Sequence, residues 1–149
     1  MCRKICPALR RAIEKHVTEF ASMHDEPLIE WDVLNEPYTD HEFMDLLGNE
    51  AVHDWFRLTK EANPRLTRYI NDYGVLTRPS AAHQDFYFNY IKDLLAREVP
   101  VQGIGFQGHI PARFEPTPPE ELLDGELTRV VLVARMVSEK DLEKWCMEW

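Results

Sequence analysis

Short apolar runs, each next to a stretch of helical periodicity and each closing on polar residues, predict an α/β fold. Glu36, Asp72 and Gly108 follow three such runs and lie 36 residues apart each time. One strand-helix unit of a barrel takes roughly 30 residues or more. The chain therefore reads as an incomplete (β/α)8 TIM barrel, parallel strands alternating with helices over its 149 residues. Strands joined through helices run parallel, with right-handed crossovers. A doubly wound sheet would alternate in the same way. It usually carries a Gly-rich phosphate turn after its first strand; no GxGxxG or GxxxxGK string follows the first run here, and the one GxGxxG, Gly103 to Gly108, lies in the third.

Leu9, Ile13, Val17 and Phe20 recur at helical spacing, so a helix is expected over 7–24, with Pro7 in its first turn. Asp25-Glu26-Pro27 marks a turn, and Leu28 to Leu34 reads as the first strand. A second helical stretch covers 42–62, with a break expected near Gly48 and a stop at Asn63-Pro64. Leu66 to Ile70 is the second strand, followed by a loop through Gly74, Pro79 and Ser80. The third helix is expected over 81–98. Phe86, Tyr90 and Leu94, with Ile91 and Leu95, form its apolar stripe, and Pro100 ends it. Val101 to Phe106 is the third strand, and its two glycines imply close backbone approach. Thr117 and Glu120 form a capping box with Pro118 at the first helical position, so another helix should start there. From Leu127 to Val137 the pattern fits a helix, while Val130 to Val133 alone also fits a strand.

The formal net charge of −9 argues against a nucleic-acid or anionic-membrane surface, both of which want a basic patch. It suits a neutral partner such as a polysaccharide. No apolar run reaches the roughly 20 residues that span a bilayer, and no signal peptide is expected after Met1-Cys2-Arg3-Lys4. Cys2, Cys6 and Cys146 make an odd set without CxxC spacing. Free thiols are the expectation, not a zinc site or a disulfide framework.

Each strand ends in a polar cluster: Asn35-Glu36, then Asn71-Asp72, then Gln107 with His109. In a barrel these points converge on one mouth, where catalytic groups sit. The plainer alternative is that they are ordinary loop residues.

Trp31-Asp32-Val33-Leu34-Asn35-Glu36-Pro37 resembles the acid/base signature of glycoside hydrolase family 10, commonly written WDVVNEP. Tyr69-Ile70-Asn71-Asp72-Tyr73 is similar to the family's next strand, and Gly103-Ile104-Gly105-Phe106-Gln107-Gly108-His109 to the one after it. Each string alone is moderately specific; the ordered set at barrel spacing is strong. The resemblance covers residues 8–121, so residues 1–149 read as part of that catalytic domain, with a tail over 124–149 that departs from it.

The resemblance implies a retaining endo-β-1,4-xylanase. That chemistry uses two carboxyl groups about 5–5.5 Å apart, one as acid/base and one as nucleophile. Glu36 matches the acid/base, and Asn35 matches the asparagine that contacts the sugar 2-hydroxyl. Gln107 and His109 match the pair beside the nucleophile. Asn71 and Asp72 match a family string, as sugar contacts or as hydrogen-bond partners of the loop backbone. Phe86, Tyr87, Phe88 and Tyr90 read as packing residues and not as a sugar platform. Xylan or a related β-linked polysaccharide is the implied partner. No metal or organic cofactor is implied, and the family suggests an extracellular or periplasmic setting.

The chain departs from the family in two ways. A whole barrel takes about 250 residues, so strands before residue 8 and after the tail are missing, and open strand edges invite self-association. The nucleophile strand is also altered. Val137-Ser138-Glu139-Lys140-Asp141 is the string that comes nearest, which makes Glu139 the nucleophile candidate. Lys140 replaces an apolar residue there, and Lys144 to Trp149 does not resemble the family. With Glu139 as a plain surface charge, the chain would be an inactive barrel piece that at most binds carbohydrate weakly.

Overall fold

A computed structural model describes residues 2–23, 28–75, 81–108 and 146–148. Their order is α1 (Cys2–Ala21), β1 (Glu30–Asn35), α2 (Glu42–Leu47), α3 (Glu50–Ala62), β2 (Thr67–Asp72), α4 (Ala81–Ala96), β3 (Gly103–Gln107) and β4 (Cys146–Glu148). The strands form one sheet in the order β1-β2-β3-β4, and every pairing is parallel. Strands, helices and parallel pairing agree with the sequence reading from β1 to β3. The capping box at Thr117 and the 127–137 stretch lie outside the described residues.

Several boundaries differ for local reasons. Helix α1 runs back through Pro7 to Cys2, one i→i−4 bond short at the proline. Cys6 is disulfide-bonded, a correction to the free thiols expected. An odd cysteine count argues against a framework, not against a single bridge. The break near Gly48 is present: Gly48 takes φ 81 and separates α2 from α3. Helix α4 stops at Ala96, before Pro100. Glu98 enters the left-handed region at φ 56. The Val99 N–H then bonds the Leu94 carbonyl at 3.0 Å, and the Glu98 N–H bonds that of Leu95 at 3.1 Å. These are the two bonds of a Schellman stop.

The core lies between the sheet and its helices. Val52, Trp55 and Phe56 of α3 and Tyr87, Ile91 and Leu94 of α4 join Leu34, Ile70, Ile104 and Phe106 of the strands in one apolar cluster. The buried face of α4 is centred on His83, Tyr87, Ile91 and Leu94. The expected stripe is thus rotated, and Phe86 and Tyr90 flank it half-buried. Tyr87 is fully buried, with its hydroxyl 2.9 Å from both the Ile70 and Gly105 carbonyls, which ties α4 to β2 and β3.

Candidate active site

The glycines of β3 make room for β2. Tyr69 pairs with Gly103 and Asn71 with Gly105 in the ladder. A Cβ on Gly103 would collide with the Tyr69 ring, and one on Gly105 would stand 2.5 Å from Asn71 Oδ1. Two larger side chains from β2 thereby cross a strand that has none at those positions. The register also shifts between Asp32 and Leu34 in β1, as a bulge does, which brings Asn35 level with Asn71.

Glu36 leaves the end of β1 in the left-handed region, at φ 53. For a residue with a Cβ, that conformation is strained and is kept only when its surroundings impose it. Here the Glu36 N–H donates to the Asn71 carbonyl at 2.8 Å, across to β2. The Glu36 carbonyl accepts the N–H groups of Thr39 at 3.1 Å and Asp40 at 2.9 Å. Pro37 is buried directly behind it. The turn therefore holds Glu36 at the carboxyl end of the sheet.

Gln107, at the end of β3, completes the cluster. Its Nε2 donates to Glu36 Oε1 at 2.8 Å and lies 3.3 Å from Asn35 Oδ1. Amide Nε2 carries two hydrogens, so both acceptors can be served at once. Three predicted residues, Asn35, Glu36 and Gln107, thus meet at one mouth. Asn71 contributes its backbone carbonyl to Glu36, while its buried side chain donates to Asp32 Oδ2 at 3.2 Å. His109 and Glu139 lie outside the described residues.

Asp72 turns away from that mouth and is fully buried. Its Oδ1 accepts the Tyr73 N–H at 2.8 Å. His83 Nε2 is 3.0 Å from the same oxygen, though off the axis of an aligned hydrogen bond. Burial pushes the Asp72 carboxyl above its ordinary range. His83 and the backbone N–H groups of Tyr73 and Tyr38 pull it back down. His83 was not singled out in the sequence. Its signal was the spacing of His83, Tyr87, Ile91 and Leu94 on one helical face.

Strand β4 was also not foreseen. It runs beside β3, with Glu148 level with Gln107 in the ladder. Among the described residues, no group of three or more His, Cys, Asp or Glu side chains could hold a metal ion. No described helix is long and apolar enough to cross a membrane.

Comparison with known proteins agrees with this geometry. The model of "Glycosyl hydrolase family 10" matches residues 3–143. Endo-1,4-beta-xylanase 3 of Hypocrea jecorina is 32% identical over 108 residues, covering 68% of this chain and 31% of its own length. Endo-1,4-beta-xylanase A of Humicola insolens is 31% identical over 115 residues, covering 73% of this chain and 30% of its own. Native xylanase 10B of Thermotoga maritima superposes with TM-score 0.70 at 29% identity, over 86% of this chain and 40% of that one. Xylanase 10B of Thermotoga petrophila RKU-1, solved with xylobiose, gives TM-score 0.71 at 30% identity, over 87% and 40%. This chain spans less than a third of the length of those two curated relatives.

Proposed function

The chain belongs to glycosyl hydrolase family 10, and from that membership we propose that the complete barrel containing it hydrolyses β-1,4-xylosidic bonds in xylan with retention. Glu36 is the general acid/base. The observation that carries this reading is the 2.8 Å bond from Gln107 Nε2 to Glu36 Oε1. A donor on Oε1 leaves Oε2 as the oxygen that carries the proton toward the glycosidic oxygen. A second carboxylate attacks the anomeric carbon as the leaving oxygen takes that proton. Glu36 then removes a proton from the water that releases the sugar. Asn35, fixed beside Glu36 by the same Gln107 amide, is placed to hold the sugar hydroxyl next to the cleaved bond.

Two residues compete for the nucleophile. Glu139 is the choice of the sequence pattern. Glu148 is the choice of topology, because its backbone ends a strand at the level of Gln107. Inverting chemistry would need the carboxyls about 6.5–9.5 Å apart, so product stereochemistry read by proton NMR on the complete enzyme tests retention.

A second reading concerns this chain alone. It spans 31% of a curated relative, and a barrel piece with open edges would be inactive or would self-associate. Xylan hydrolysis by the purified chain, beside Glu36→Gln, Glu139→Gln and Glu148→Gln, separates the readings. Sugar release abolished by Glu36→Gln and by one of the other two gives the chain a working site and names its nucleophile. No release from any of them gives an inactive barrel piece. Size exclusion of the same samples tests self-association, and a clean monomer removes it.

A further inference from the structure

The turn that carries Glu36 is anchored to β2 at two places. One is the Glu36 N–H on the Asn71 carbonyl. The other lies two residues on, at Tyr38, whose side chain reaches the buried Asp72 carboxylate of β2 through His83, 3.0 Å from Asp72 Oδ1. The Tyr38 ring stacks on His83, centroids 4.0 Å apart and planes at 18°. Tyr73 closes the far side edge-on to His83 at 5.6 Å. Asp72 and His83 are 0% and 7% exposed, a carboxylate and an imidazole enclosed together at the base of the turn.

Burying such a pair is costly unless its groups are well used. The acid/base chemistry does not touch either group. His83 stands between Asp72 and the Tyr38 ring and links the two. If only the Asn71 anchor remained, the turn could swing about it, and the Glu36 carboxyl would change direction more than position. The bond to Gln107 depends on that direction.

We propose that Asp72 and His83 are positioning residues for Glu36, acting through Tyr38 to hold the left-handed turn in which Glu36 Oε1 meets Gln107. The proposal rests on the reading of Glu36 as general acid/base. It differs from a plain packing role because it links His83, at the start of α4, to a side-chain contact at the end of β3.

The test is NMR and amide hydrogen exchange on this chain, with His83→Ala, His83→Phe and Asp72→Asn as variants. In the unmodified chain the Asp40 amide, bonded to the Glu36 carbonyl at 2.9 Å, is expected to be protected. The Gln107 side-chain amide pair is expected to be shifted from free-glutamine positions. In His83→Ala and Asp72→Asn, Asp40 loses protection and the Gln107 pair moves toward free glutamine, while Ile91 and Leu94 keep theirs. His83→Phe keeps the stacked ring and holds the Gln107 signals nearer the parent positions than His83→Ala does. Unprotected exchange of Asp40 in the unmodified chain overturns the proposal, even if every variant fails to fold. Folded variants with unmoved Gln107 signals overturn it too. None of these readouts needs xylan cleavage. Absence of xylan hydrolysis in the complete enzyme would remove the proposed reaction and, with the expected signals, leave the clamp standing.

Discussion

Gly105 lies so close to Asn71 that a Cβ there would stand 2.5 Å from Asn71 Oδ1. Real contacts do not come that near, so strand or side chain would have to move. Asn71 has little room to move: its side chain is bonded to Asp32, and its carbonyl holds the Glu36 N–H. Gly105→Ala is expected to cost roughly 1–3 kcal/mol, the usual penalty for overpacking a filled core. Gly48→Ala loses stability by another route: its Cβ meets nothing within 4 Å, but φ 81 with ψ 153 is a conformation that essentially only glycine adopts, so backbone strain of roughly 1–3 kcal/mol applies. Urea denaturation of Gly105→Ala checks the prediction, and a loss under about 0.5 kcal/mol would mean that β2 and β3 are not in this register.

Glu98 ends α4 at φ 56, where a Cβ is a burden. Its side chain is exposed, and both bonds of the helix stop come from the backbone. Glu98→Gly should therefore stabilise the chain by about 1 kcal/mol, since glycine takes the left-handed C′ position freely. A rise in urea midpoint without a change in slope is the expected result.

The sequence foretold most of this architecture because periodicity and turn residues are local signals. The three strands and the break near Gly48 were readable, and crowding at Gly103 and Gly105 was too, although it comes from the side chains of Tyr69 and Asn71 and not from backbone. So was the meeting of Asn35, Glu36 and Gln107, because a constant spacing between strand ends places them at one mouth. The end of α4 was misplaced because Glu98, a residue with no preference for positive φ, stops the helix before Pro100 does. The Asp72–His83 contact was not readable, since nothing local says that a strand end and a helix face will close over the same carboxylate. Strand β4 was not readable because Cys146 to Glu148 is too short to show an alternation.

His53 makes stability depend on pH. Burial holds its imidazole below the ordinary 6.5, helped by the charges of Arg97 and Arg57 and opposed by Asp93 and Asp54. The unfolded chain then binds the proton more readily than the folded one. The contribution of this group is complete above pH 6.5 and is lost as pH falls through 6.5 toward the folded value. His53→Gln should flatten the fall in urea midpoint between roughly pH 7.5 and 5.5. An unchanged slope would place the responsible group elsewhere.

Glu36 joins strain to chemistry, and the two can be separated by mutation. At φ 53 the residue before Pro37 carries a Cβ in the left-handed region, which costs of order 1 kcal/mol or more. Glu36→Gln keeps both the Cβ and an oxygen for Gln107, so stability should stay within about 0.5 kcal/mol of the parent. Glu36→Gly removes the strain along with the carboxyl and should gain about 0.5–1 kcal/mol, even though Gln107 loses its partner, because that amide is only half-buried and water can replace the bond. In the complete enzyme both variants should lose xylan hydrolysis. A gain in stability on removing the acid would show that the fold holds Glu36 in a conformation its backbone does not favour. A loss larger than that of Glu36→Gln would instead mean that the Gln107 bond outweighs the strain, and that the turn is held from the side-chain end.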